Sequence, residues 1–178
     1  MFKRILTGVV LAMVFLTPAL AEVRFDLGFN VPLGLGGISS SGTTTVGEAT
    51  DFLTSHIIPL PHADVYFQMP FDTFRFGGGV RIYTFILESV FWPNVYIEKD
   101  VWKFTFVGQA GGGLFGTFGL FNSLQTGRVL IPDVSVWFRA GPSLRLGGGI
   151  TGLYVPDLLE DGMLMMYYLG LNLALVSR

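Results

Sequence analysis

Cysteine is absent from the 178-residue chain, which excludes disulfides, thiol catalysis and a lipidated cysteine behind a leader. Charge is scarce as well: 13% of residues are Asp, Glu, Lys or Arg against 51% apolar residues, far from the composition of a disordered chain. The formal net charge is −2, so there is no basic excess to meet nucleic acid. Histidine occurs only twice, which is poor material for a metal site. Beyond the first 21 residues no unbroken apolar run approaches the roughly 20 residues of a spanning helix. The longest candidate, residues 163–176, is short and contains Gly170 and Asn172. High apolarity without such a helix leaves alternating strands, because only helices and closed barrels satisfy the backbone inside lipid.

What is present begins with a leader. Residues 1–21 carry Lys3 and Arg4, an apolar run from Ile5 to Leu16, Pro18 and the small-residue site Ala19-Leu20-Ala21. This is the layout of a secretory signal peptide, with cleavage expected before Glu22. One barrel domain is expected over residues 22–178, or 178 − 21 = 157 residues, a length that leaves room for no more than a modest second one. Without Lys3 and Arg4 its charges are 11 − 2 = 9 basic against 13 acidic.

A glycine block recurs along that domain. Phe74 to Val80 reads FRFGGGV, Ala110 to Gly116 reads AGGGLFG and Leu144 to Ile150 reads LRLGGGI, with a looser LGLGGI at Leu33 to Ile38. The triple glycines start at Gly77, Gly111 and Gly147, 34 and then 36 residues apart. Such a period fits two membrane-length strands with one short and one longer connection. Four units make eight strands. The flanks are Phe, Leu, Val and Arg rather than Ser and Glu, so the glycines suit strands bending around a small barrel better than flexible linkers.

The alternation is clearest over residues 23–35. Val23, Phe25, Leu27, Phe29, Val31, Leu33 and Leu35 share one face, and Arg24, Asp26, Gly28, Asn30, Pro32 and Gly34 the other. A polar first loop is expected over 36–55, and further strands over 62–69, 74–86, 92–97, 102–114, 133–140, 144–151 and the C-terminal stretch. The 92–97 strand is the weakest because it is short and carries Pro93. Glu98-Lys99-Asp100 reads as a turn, and residues 88–91, 115–128 and 155–162 as loops. Pairing Met69 with Phe74 sets Tyr66 opposite Gly77, and pairing Ala140 with Leu144 sets Trp137 opposite Gly147. In both hairpins an inward aromatic then covers a glycine.

On this parity no outward face carries a charge, as a lipid face requires. Phe25, Phe74, Trp102, Phe104 and Phe138 fall near the turn end, where an aromatic girdle would sit. Arg24, Asp26, Asp64, Arg75, Arg81, Lys103, Asp133, Arg139 and Arg145 point inward as a lumen charge cluster, six basic residues against three acidic. Eight strands enclose a space just wide enough for side chains, so this cluster is expected to plug the barrel. Arg139 and Arg145 are expected to face each other, an arrangement that needs a carboxylate, water or anion between them. Tyr66, Tyr83, Phe85, Trp137 and Tyr168, with Val107, would line the rest of the lumen.

These features together resemble the small eight-stranded outer-membrane proteins of diderm bacteria: the transmembrane domain of outer-membrane protein A and the X and W families. The resemblance runs through the architecture of the whole mature chain and not through any short motif. It implies an all-β, eight-stranded antiparallel up-and-down transmembrane β-barrel in the bacterial outer membrane. Barrels of this kind usually finish on an aromatic residue, whereas this sequence finishes Leu175-Val176-Ser177-Arg178.

The W-family likeness implies a porin-like narrow conduit for small apolar molecules, with a charge-plugged lumen. The alternative is a structural or adhesin-like barrel acting through its extracellular loops. An enzyme modifying lipid A is less favoured: Ser55, His56 and His62 are the only candidates, and no carboxylate at a suitable spacing joins them. The triple glycines lack the Lys-Ser/Thr pair and helix of a phosphate loop. No catalytic residue, metal or cofactor is expected. Expected partners are outer-membrane lipid, the barrel-insertion machinery, and a small apolar ligand or a host surface component, with the chain acting as a monomer and binding no nucleic acid.

Overall fold

The computed structural model describes residues 22–39, 42–45, 56, 58–85, 87–120, 122–155 and 162–177. The leader assigned to residues 1–21, and Ser55, lie outside the described residues. The elements are β1 (Glu22–Ser39), β2 (Gly42–Thr45), β3 (Leu60–Phe71), β4 (Phe74–Phe85), β5 (Glu88–Val101), β6 (Phe104–Gly119), β7 (Ser123–Arg139), β8 (Leu144–Leu153) and β9 (Met163–Ser177). Consecutive strands pair antiparallel from β3 to β9, β1 pairs with β3, and a long β1–β9 ladder closes the sheet. Closure leaves no edge in the ring of eight.

The short β2 stands outside that ring. It hairpins back on β1 with Ser39 opposite Gly42 and takes the edge of β1 above Asn30, where pairing with β3 ends. Part of the stretch expected as the first loop is therefore strand. The same correction applies at residues 88–91 and 115–128. Phe85 pairs with Glu88 and Glu88 with Gly119, while Thr117 pairs with Ser123. The strands run on because each neighbour continues to offer ladder partners, so the backbone is satisfied by the sheet rather than by loop contacts. The fourth ring strand, β5, is thus 14 residues long and not the short 92–97 segment.

One hairpin register also differs from expectation. β3 continues through Pro70 to a two-residue turn at Asp72-Thr73, so Phe71 pairs with Phe74, Gln68 faces Gly77 and Tyr66 faces Gly79. The four-residue turn expected there would have shifted the pairing by two. The later hairpin is as expected: Trp137 faces Gly147 and Arg139 faces Arg145. Gly79 and Gly147 are steric requirements, since a Cβ at either would run into the carbonyl of Val65 or Val136 on the adjoining strand. Asp72 and Trp102 open the two tight turns with φ of 52° and 54°, a left-handed conformation that side chains adopt only at such turns.

Burial is inverted relative to a water-soluble barrel. Leu27, Val95, Val134 and Leu169 are exposed, whereas Arg24, Asp26, Asp64, Glu98 and Asp133 are no more than 3% exposed. At the turn end Trp102 packs on Phe104 with centroids 6.1 Å apart, and Phe104 on Phe138 at 5.7 Å. These are three of the five rings expected in the girdle. Among the described side chains, one charge does reach the outward row. Lys99, expected in a turn, lies in β5 between Phe74 and Phe106, two residues from the strand's end and level with the aromatic rings.

Candidate functional site

The side chains that fill the barrel form three tiers, each placed by the period-2 alternation of its strand. The lowest is built around Glu98. Trp92, Asn94, Tyr96 and Glu98 are buried while Pro93, Val95 and Ile97 are exposed, so the inward row of β5 delivers the carboxylate to the base of the lumen. There it is 1% exposed. It accepts from Arg24 Nη1 at 2.7 Å and Arg145 Nη1 at 3.1 Å, and from Arg75 Nε. Arg24 also forks onto Asp26, with Nε–Oδ1 at 2.7 Å and Nη2–Oδ2 at 2.5 Å. Asp100 serves as a second acid, 2.7 Å from Arg75 Nη2 and 3.0 Å from Arg139 Nη1. The facing pair Arg139 and Arg145 is thus resolved by giving the two guanidiniums different carboxylates, Asp100 and Glu98.

Sequence reasoning missed both of these acids because Glu98-Lys99-Asp100 looks like a turn. The signal that finds them is the alternation of β5, extended two and four residues past Tyr96. Lys103 is the opposite error. It sits in the turn after Trp102, with Nζ 5.6 Å from that indole, exposed and outside the lumen. Exchanging it for the two acids changes the balance. Five arginines (Arg24, Arg75, Arg81, Arg139, Arg145) meet five carboxylates (Asp26, Asp64, Glu98, Asp100, Asp133), so the cluster is formally neutral rather than basic.

The middle tier mixes one ion pair with amides and phenols. Arg81 forks onto Asp64, with Nε–Oδ1 at 2.7 Å and Nη2–Oδ2 at 3.0 Å. Asp133 accepts from Tyr168 Oη at 2.9 Å and Thr151 Oγ1 at 2.5 Å. Asn94 Nδ2 donates to Tyr66 Oη at 2.9 Å and to Gln109 Oε1 at 2.6 Å, and Tyr96 Oη donates to Gln68 Oε1 at 2.7 Å. His62 is buried here, its Nδ1 3.5 Å from Asp64 Oδ2. His56 is exposed.

The uppermost tier is apolar. Tyr83, Trp92 and Phe115 stack in series, with centroids 5.7 and 6.2 Å apart and planes within 11°. Leu60 and Ile131 complete this cluster. Of the aromatics expected in the lumen, Tyr66, Tyr83, Trp137 and Tyr168 are buried there, and the Phe85 side chain lies outside the described residues. Trp92 and Tyr96 were not expected. Between the lowest and middle tiers lies a cavity of about 20 Å³, bordered among others by Asn30, His62, Asn172, Arg24, Arg81 and Arg145. That is room for roughly one water molecule.

No protein-family model matches the chain, and no curated relative matches it. Solved structures similar to it include Neisserial surface protein A (13% identity, TM-score 0.46, covering 86% of this chain and 96% of that one). The N-terminal β-barrel domain of Pseudomonas aeruginosa OprF is similar at 10% identity and a TM-score of 0.48, over 86% of this chain and 97% of that one. Ail, the attachment invasion locus protein of Yersinia pestis, is similar at 9% identity and a TM-score of 0.44, over 87% of this chain and 99% of that one.

Proposed function

We propose that this protein is an integral outer-membrane barrel with a sealed lumen, acting as a structural or surface-interaction protein from its rim and wall and not as a channel. The observation that carries this reading is the cavity of about 20 Å³, left among the five arginines and five carboxylates of the lowest and middle tiers. A solute would have to displace ion pairs whose partners would then be buried without a counter-charge, at several kcal/mol each. The inverted burial of the strands supports membrane insertion, since an exterior of Leu, Val and Phe is costly in water. On the same reading the protein is not an enzyme: His62 is buried beside Asp64 and the ring of Tyr83.

A conduit for small apolar molecules is the second reading, favoured by the Tyr83–Trp92–Phe115 stack at the upper end. Planar-bilayer recording of the purified monomer tests the choice. No steady conductance, and no apolar compound co-purifying with the barrel, are expected; a large, steady single-channel current would overturn the sealed-lumen reading.

A further inference from the structure

Three buried side chains gather where the barrel closes. Gly28 on β1 lies opposite His62 on β3 and Asn172 on β9, and Asn30 is the next inward residue of β1. Asn30, His62 and Asn172 are 2%, 6% and 6% exposed. Yet among the described residues Asn30 Oδ1, His62 Nε2 and Asn172 Oδ1 find no hydrogen-bond partner. Buried polar atoms are rarely left so.

The other ends of these side chains are committed. Asn30 Nδ2 donates to Tyr83 Oη at 2.6 Å, and Asn172 Nδ2 to Asp26 Oδ2 at 3.3 Å. Turning the Asn172 amide over would set its oxygen against a carboxylate. His62 turns Nδ1 towards Asp64 Oδ2, 3.5 Å away. That carboxylate assigns the ring proton to Nδ1, so Nε2 presents a lone pair. The three unmet atoms are therefore all acceptors.

All three side chains border the cavity of about 20 Å³ between the lowest and middle tiers. Gly28 puts nothing between His62 and Asn172: an added Cβ would lie 2.8 Å from His62 Nε2 and 3.1 Å from Asn172 Cα. Gly170, opposite Asn30, likewise leaves room for Asn30 Oδ1.

Size, charge and hydrogen bonding identify the occupant. The volume admits roughly one water-sized molecule. Five arginines already match five carboxylates in these tiers, so an added ion would be an uncompensated buried charge. The unmet lone pairs call for a neutral donor. Water brings two protons. For its oxygen, Arg145 on the same wall faces Asn172 and has N–H groups beyond the one given to Glu98.

We infer that this cavity holds one resident water molecule, shared by Asn30, His62 and Asn172, which joins β1, β3 and β9 from inside at the seam where the ring closes; this rests on the sealed-lumen reading above. The test is oxygen-17 relaxation dispersion of the folded protein in detergent micelles, compared with His62→Phe, whose larger ring fills the space without an acceptor, and with Asn172→Leu. The unsubstituted protein is expected to hold one more long-lived water per barrel than either variant. Water-selective Overhauser spectra should show that water at the side-chain amides of Asn30 and Asn172, a readout that needs no variant to fold. Missing amide cross peaks would overturn the inference, as would equal dispersion in all three folded proteins. So would a shift of these amides on titration with sodium or chloride, which would make the occupant an ion. Failure of the sealed lumen looks different: a steady conductance, with fast-exchanging water at Arg24 and Arg145 as well.

Discussion

Glu98 on β5 and Arg145 on β8 stand three strands apart around the wall, yet Oε2 of the one lies 3.1 Å from Nη1 of the other. The bond crosses the lumen. With Arg24 and Arg75 on the same carboxylate, Glu98 ties β1, β4, β5 and β8 together at the base of the barrel. It is a brace rather than a lining, and the chemistry inside the barrel follows from it.

Removing that brace is the sharpest test of the plug. Glu98→Ala leaves three arginines around a vacated carboxylate position and should cost about 3–5 kcal/mol. The loss is measured as a lower urea midpoint for unfolding from vesicles. A loss below about 0.5 kcal/mol, the size of an ordinary surface change, would mean that Glu98 is solvated and not central.

The lipid face gives a second prediction. Leu27→Arg and Val136→Arg place a charge on outward positions and should each cost about 2–4 kcal/mol on folding into bilayers, depending on depth. Thr44→Arg, on the hairpin strand β2 outside the ring, should change little. Equal tolerance at the three sites would reverse the inward and outward assignments.

The triple glycine at 77–79 divides within three residues. Gly79→Val drives side-chain atoms into the Val65 carbonyl and should cost about 1–3 kcal/mol as overpacking. Gly78→Ala meets only ordinary contacts and should be neutral or stabilising by up to about 1 kcal/mol. Equal effects in a thermal or urea melt would show that the block acts through flexibility and not through close approach of strands.

The leader supplies a fourth prediction, carried by Ala19-Leu20-Ala21 alone. Intact-mass analysis of protein extracted from membranes should give a chain beginning at Glu22. Retention of Met1 would refute it.

Strand alternation determined most of this molecule. A two-residue period is a local property of the backbone, so Val23 to Leu35 already separated a lipid row from a lumen row, and the same parity placed Tyr66, Tyr83, Trp137 and Tyr168 inside. The glycine spacing similarly set eight ring strands, and the facing of Arg139 and Arg145 followed from a single turn. Strand ends and partners were not legible, because they depend on what a neighbouring strand offers. Glu98 and Asp100 looked like turn residues until β4 supplied ladder partners as far as Lys99 and β6 as far as Val101. Lys103 looked like a lumen charge until the left-handed Trp102 tightened the turn and left it outside. The two-residue turn at Asp72-Thr73 moved Tyr66 from Gly77 to Gly79. Closure decided the rest: only when β9 meets β1 do residues as far apart in sequence as Arg24, Glu98 and Arg145 share one small volume, where low dielectric and scarce space favour a formally neutral, cross-braced plug.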